Sequence, residues 1–204
     1  MKFSKGWIAV IVIVLLVIII FGWVRGTYNS LVTKEETVNR QWANVENVYQ
    51  RRSDLIPNLV STVKGVANFE KSTLTDVIEA RAKATSVTVD PNKLDAASLQ
   101  KFQSAQDGLS SALGRLMVVV ERYPELKATQ NFSELQAQLE STENRITVER
   151  RNFNETAQDY NTYLRRFPSN MFAGMFGFEK KAYFQAQAGS ENAPKVDFNE
   201  DSKK

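Results

Sequence analysis

No charged residue occurs between Gly6 and Val24, where the chain reads GWIAVIVIVLLVIIIFGWV over 19 residues. At a helical rise of about 1.5 Å per residue this run is about 28 Å long, close to the thickness of a bilayer's hydrocarbon core. Trp7 and Trp23 stand near its ends, where indole rings favour the headgroup boundary. A cleaved signal peptide has a shorter apolar region and a small-residue cleavage pattern behind it. The exit here reads FGWVRGTYNS, with no such pattern. The pattern predicts a single uncleaved transmembrane helix over 6–24, preceded by a short basic tail over 1–5.

Beyond it the apolar positions recur in steps of four and three. Val38, Trp42, Val45, Tyr49, Ile56, Leu59, Val63, Val66, Val77, Ala80 and Ala84 form one stripe if Arg52, Glu70 and Thr73 fill its gaps. That periodicity predicts one helix over about 27–85. Pro57 lies inside it; a mid-helix proline loses a hydrogen bond and crowds the carbonyl of Ser53, so a bend rather than a stop is expected. TSVTVDPNK (85–93) reads as a loop. A second helix is expected over 94–123, with Phe102, Ala105, Leu109, Leu113, Leu116 and Val120 inward. A third starts at an Asn131 cap with Glu134 three positions on. It runs to about 166 on Leu135, Leu139, Thr142, Ile146, Phe153, Ala157, Tyr160, Leu164 and Phe167, and Phe167-Pro168 ends it. No glycine-punctuated strand pattern appears. The fold class is all-α: a transmembrane helix followed by an elongated up-down-up antiparallel helical bundle. A first helix of about 87 Å, a return of about 45 Å and a rise of about 52 Å would put the segment after Phe167 far from the membrane anchor.

Composition narrows the chemistry. The chain has 204 residues, no cysteine and no histidine. Disulfides, thiolate metal sites, thiol nucleophiles and the commonest general base and zinc ligand are therefore excluded. A ferritin-like di-metal site needs Glu-x-x-His pairs, which this chain cannot supply. No Gly-rich phosphate loop and no G-x-S-x-G is present. No enzymatic activity, metal, cofactor or small-molecule substrate is expected. The net charge is +3. Without Lys2 and Lys5 it falls to +1, with 24 basic against 23 acidic residues. That balance gives no footprint for nucleic acid.

Four groups of residues remain as candidates. Arg51, Arg52, Asp54 and Asn58 cluster around the proline and are expected to form a polar layer fixing helix register, with Glu143 or Glu149 of the third helix as partners. Glu121, Tyr123, Pro124, Glu125 and Lys127 form a helix-end turn. MFAGMFGF (171–178) is apolar and lies between Arg165-Arg166 and Lys180-Lys181. Its Met171, Phe172, Met175, Phe176 and Phe178 either cap the bundle end or contact a partner chain or a lipid surface. QAGSENAPKVDFNEDSKK (187–204) reads as a polar, disordered tail.

YNSLV (28–32), RRSDLIPNLVSTVKG (51–65), VVVERYPELKATQNFSELQAQLESTENRI (118–146), RRNFN (150–154) and YNTYLRRFPSN (160–170) together resemble the LemA family of bacterial membrane-anchored helical proteins. The likeness covers 27–184. It implies a helical-bundle domain on one membrane helix and no established enzymatic activity; some members resemble proteins that organise internal membranes.

The sequence thus predicts a non-catalytic scaffold or adaptor of the bacterial cell envelope, acting by self-association or partner binding and held in the bilayer through residues 6–24. The alternative is a membrane-remodelling or lipid-contacting protein using its C-terminal apolar segment. A homo-oligomer or a protein partner is expected. Positive charges lie on both sides of the apolar run, with Arg25, Lys34 and Arg40 following it, so they do not fix the orientation. A basic tail ahead of the run favours the inner (cytoplasmic) membrane with the soluble domain in the periplasm.

Overall fold

A computed structural model describes residues 5–65 and 69–186. Residues 1–4 of the expected basic tail over 1–5, the expected tail at 187–204 and the expected core position Val66 lie outside the described residues, while Lys5 opens the first helix. All regular elements among the described residues are helical. They are α1 (Lys5–Lys64), α2 (Lys71–Ser86), α3 (Ala96–Val120), α4 (Pro124–Lys127), α5 (Gln130–Arg165) and α6 (Ser169–Ala173), with a 3-10 turn at Pro91–Lys93. The all-α class and the long apolar first helix are those the periodicity predicts.

α1 is unbroken over 60 residues and carries Pro57 inside it. Its first turns have no packing partner: Ile19 and Phe21 are 65% and 69% exposed. From Leu31 onward the helix narrows to one buried stripe, Leu31, Val38, Trp42, Val45, Tyr49, Ile56, Leu59 and Val63. One helix thus changes from apolar all round to amphipathic without a break, so its two halves face different surroundings.

The long helix expected over 27–85 is in fact two. α1 stops at Lys64, the Gly65 amide closes the last turn onto the Thr62 carbonyl at 3.3 Å, and α2 starts at Lys71. The stripe that looked continuous belongs to two helices facing one core. Of its three polar gap fillers, Arg52 lies in α1, Glu70 precedes α2 and pairs with Arg122 at 2.9 Å, and Thr73 is buried in the first turn of α2. Phe69 in the connection is buried and meets the Tyr123 ring at 4.9 Å. Burying an aromatic there rewards a reversal that periodicity does not register.

The extra reversal makes four long passes rather than three. α2 runs back along α1, α3 runs up again and α5 returns. Antiparallel neighbours are marked by Lys34–Asp159 at 2.6 Å and Arg52–Glu143 at 3.0 Å between α1 and α5. Arg115–Asp76 at 3.7 Å does the same between α3 and α2. α5 is capped by Thr129, whose hydroxyl accepts from the Phe132 amide at 3.4 Å. Asn131, the expected cap, is exposed inside the first turn.

Because α5 descends, the segment after Phe167 lies beside the membrane-side end of α1 and not at the far end. The Phe172 ring meets the Trp23 indole edge-on at 5.7 Å, and Phe176 and Phe178 meet the Tyr28 ring at 5.1 and 5.7 Å. The expected distal placement is overturned by that one additional helix reversal. Gly177, at φ +77° in the left-handed region, turns the chain out of α6 into an extended strap over 178–186. The strap lies back along the bundle.

Candidate functional site

Two apolar clusters make up the core. The membrane-side cluster holds Trp42, Phe102, Phe153, Tyr160 and Phe184; the distal one holds Ile56, Leu59, Leu109, Leu116 and Phe132. Arg52 sits between them, its side chain only 2% exposed. Its Nη1 donates to Ser110 Oγ at 2.8 Å and Glu143 Oε2 at 3.0 Å, and its Nη2 to Gln106 Oε1 at 2.6 Å and the Gln106 carbonyl at 3.3 Å. Gln106 in turn donates to the Ala84 carbonyl at 3.2 Å. One guanidinium therefore ties α1 to α3 and α5, and through Gln106 to α2. A planar fork with fixed donors is suited to such a register pin.

The other expected members of this layer stand elsewhere. Arg51, Asp54 and Asn58 are exposed. Asp54 accepts from Gln50 at 2.8 Å and Asn58's carbonyl from Thr62 at 2.9 Å, both within α1. At about 100° per residue none of the three can share the inward face that Arg52 occupies. Glu149, the other named carboxylate, accepts from Gln41 Nε2 at 2.7 Å, nearer the anchor. Gln106 and Ser110 were missed. Gln106 takes a buried position in α3 that the stripe gave to Ala105; a polar residue there is the signal that something polar faces it.

Pro57 is served by an unexpected partner. It has no amide to offer the Ser53 carbonyl, and Arg81 Nε of α2 donates to that carbonyl at 2.9 Å. The polar region around the proline is a structural device. A groove of about 280 Å³ opens beside it between α3 and α5, lined by Leu113, Met117, Leu139 and Glu143. Arg52 closes one wall with both terminal nitrogens already engaged. Among the described residues no group of three or more acidic side chains could hold a metal ion.

The strap is held by side-chain amides acting as a second strand. Asn161 Nδ2 donates to the Lys181 carbonyl at 2.8 Å, and its Oδ1 accepts from the Lys181 amide at 3.0 Å. Asn154 does the same for Phe184, at 3.0 and 2.9 Å. Lys181 is buried, with Nζ 2.7 Å from Glu35 and 3.1 Å from the Asn92 carbonyl. Burial pushes the neighbouring Tyr160 phenol far up, and the Glu35 and Glu179 charges add to that.

The expected contact segment divides. Phe172 and Phe178 are half-buried against Trp23 and Tyr28. Met171, Met175 and Phe176 are exposed at 61%, 74% and 42%. Phe167, expected inward, is 79% exposed beside them. Elsewhere on the bundle large exposed apolar residues occur singly, as at Ile78, Val118 and Val148.

The family model described as LemA family matches residues 41–198. The chain belongs to the LemA family. Magnetosome protein MamQ 1 and MamQ 2 of Paramagnetospirillum magneticum are each 28% identical over 181 residues. That alignment takes in 80% of this chain and 66% of theirs, so the chain spans a little under two thirds of those relatives' length. Protein LemA of Metamycoplasma hominis is 26% identical over 161 residues, 79% of this chain and 70% of the relative. None of these relatives is named for an enzymatic activity.

Proposed function

We propose that this chain is a membrane-anchored, non-catalytic helical scaffold or adaptor of the bacterial cell envelope. The observation that carries this reading is the continuity of α1. An unpartnered apolar run of membrane-spanning length passes without a hinge into the central helix of the bundle. A domain built that way is held at a fixed height and attitude above the bilayer, which suits a protein that presents a surface to others. It acts through copies of itself or a protein partner, with no nucleic acid and no small-molecule substrate. Residues 6–24 cross the inner membrane and the bundle lies in the periplasm. Relatives named as magnetosome proteins support a place in an assembly over one in metabolism.

Carbonate extraction and thiol labelling of spheroplasts test it, using an introduced cysteine at Val118. The chain should remain in the membrane fraction, and the residue 118 thiol should react with an impermeant maleimide before lysis. Release by carbonate would remove the anchor, and labelling only after lysis would reverse the orientation. Photo-crosslinking from Ile78 and Val148 should capture a second copy or a discrete protein; capture of neither would overturn the scaffold reading.

A further inference from the structure

We propose that the corner between α5 and α6 is a second, shallow lipid-binding surface that rests in the headgroup layer beside the anchor. It deepens the reading above and rests on residues 6–24 crossing the bilayer. If Leu15 lies at the midplane, Trp23 is about 12 Å and Tyr28 about 20 Å from it along an upright helix. The hydrocarbon half-thickness is about 15 Å, and headgroups extend to about 20–22 Å. Phe172 touches Trp23, and Phe176 touches Tyr28. The corner is therefore set at the depth where hydrocarbon gives way to headgroups.

Its composition matches that depth. Among the described residues outside the anchor, Phe167, Met171, Met175 and Phe176 form a concentration of exposed large apolar side chains. A patch of this kind is unfavourable in water and favourable in the interface. Arg165 and Arg166 are exposed at its edge, and Arg25 lies two residues beyond Trp23. Three guanidinium groups at headgroup level suit an anionic lipid surface. Glu179 is the exposed acidic residue next to the segment, against Lys180 on its other side. The occupant is the bilayer that holds α1, because the Trp23–Phe172 and Tyr28–Phe176 contacts set the patch at the height of its headgroups.

The chain has no cysteine, so single nitroxide labels can be placed cleanly on the full chain. Leu15→Cys, Met175→Cys and Val118→Cys are each labelled and reconstituted in vesicles of phosphatidylcholine and phosphatidylglycerol. Collision rates are then measured with oxygen, which concentrates in lipid, and with a water-soluble nickel chelate. The label at 175 should favour oxygen several-fold, ordering between 15 and 118, with 118 favouring nickel. If 175 behaves like 118 while 15 favours oxygen, the lipid surface is refuted and the anchor stands. If 15 also favours nickel, both readings fall. A label at 175 shielded from both reagents and broadened by a neighbouring spin would mean that a second copy covers the patch, which also overturns the proposal.

Discussion

Arg81 donates to the Ser53 carbonyl at 2.9 Å, the acceptor that Pro57 leaves without its helical partner. A proline inside a core helix is tolerated because a neighbouring helix completes the lost bond. The two residues should be coupled. Arg81→Met strands the carbonyl and should cost about 1–3 kcal/mol. Pro57→Ala restores an amide to position 57, and in that background the cost of Arg81→Met should fall by half or more. A double-mutant cycle read by denaturant melts checks this; additive costs would mean the contact is incidental.

Arg52 and Glu143 share a bond but not a burden. Arg52 is buried, while the Glu143 side chain is 53% exposed. Arg52→Ala leaves a cavity and an unpaired Gln106 Oε1, and should cost about 3 kcal/mol or more. Glu143→Gln should cost less than about 1 kcal/mol, as solvent screens that carboxylate. Arg52→Met with Gln106→Leu should recover most of the loss, because apolar replacement of a whole buried layer is often tolerated. Thermal melts of the three variants decide it.

What was legible in the sequence was whatever repeats at helical spacing. The passage of α1 through Pro57 was readable because Ile56, Leu59 and Val63 keep phase with Tyr49. So were Arg52 at an inward position and the break at Phe167-Pro168. The reversal after Lys64 was not, since two helices packed on one core can keep a shared phase by accident, and polar Glu70 and Thr73 fall on the positions that continue the stripe. That single omission displaced the whole C-terminal segment from the anchor to the far end. The partners of Arg52 on α3 and the Asn154 and Asn161 clamps were hidden for another reason. They are long-range pairings between a polar side chain and a backbone or amide group, and no local pattern encodes them.

Asn161→Ala should loosen the strap. It removes both bonds to the Lys181 backbone, leaving a buried amide and carbonyl unpaired, at a cost of about 2 kcal/mol. Trypsin should then cut at Lys180 or Lys181 well before the rest of the bundle. Asn161→Asp should fail to rescue, because a carboxylate can accept from the Lys181 amide but cannot donate to its carbonyl. Equal cleavage rates in wild type and Asn161→Ala would show that the Asn154 clamp on Phe184, the Lys181–Glu35 pair and the Trp42–Phe184 stacking hold the strap without Asn161.

Acid should weaken the start of α3. The Ser98 amide donates to Asp95 Oδ1 at 2.7 Å and, with the Ser98 hydroxyl, holds the Asp95 carboxyl below the ordinary aspartate range. A lowered native value means the cap stabilises fully above the unfolded value, and that contribution is lost as pH falls through the native one. Asp95→Asn keeps a capping oxygen without the charge. Melting temperatures of the two proteins should differ most near neutrality and converge below the ordinary aspartate range. A difference that stays constant across that range would remove the carboxylate from the account.

The return of the chain to its own membrane helix is tested most directly by crosslinking within the bilayer-bound protein. Tyr28→Cys with Phe176→Cys places two thiols where the rings now lie 5.1 Å apart. Tyr28→Cys with Val118→Cys places them more than about 36 Å apart, since Val118 lies beyond the level of Arg52 and 24 helical residues separate that level from Tyr28. A short bismaleimide should join the first pair within one chain, independent of protein concentration, and leave the second pair unjoined. Failure of the 28–176 link, or its formation only between copies, would contradict the four-pass bundle and the corner it sets against the membrane.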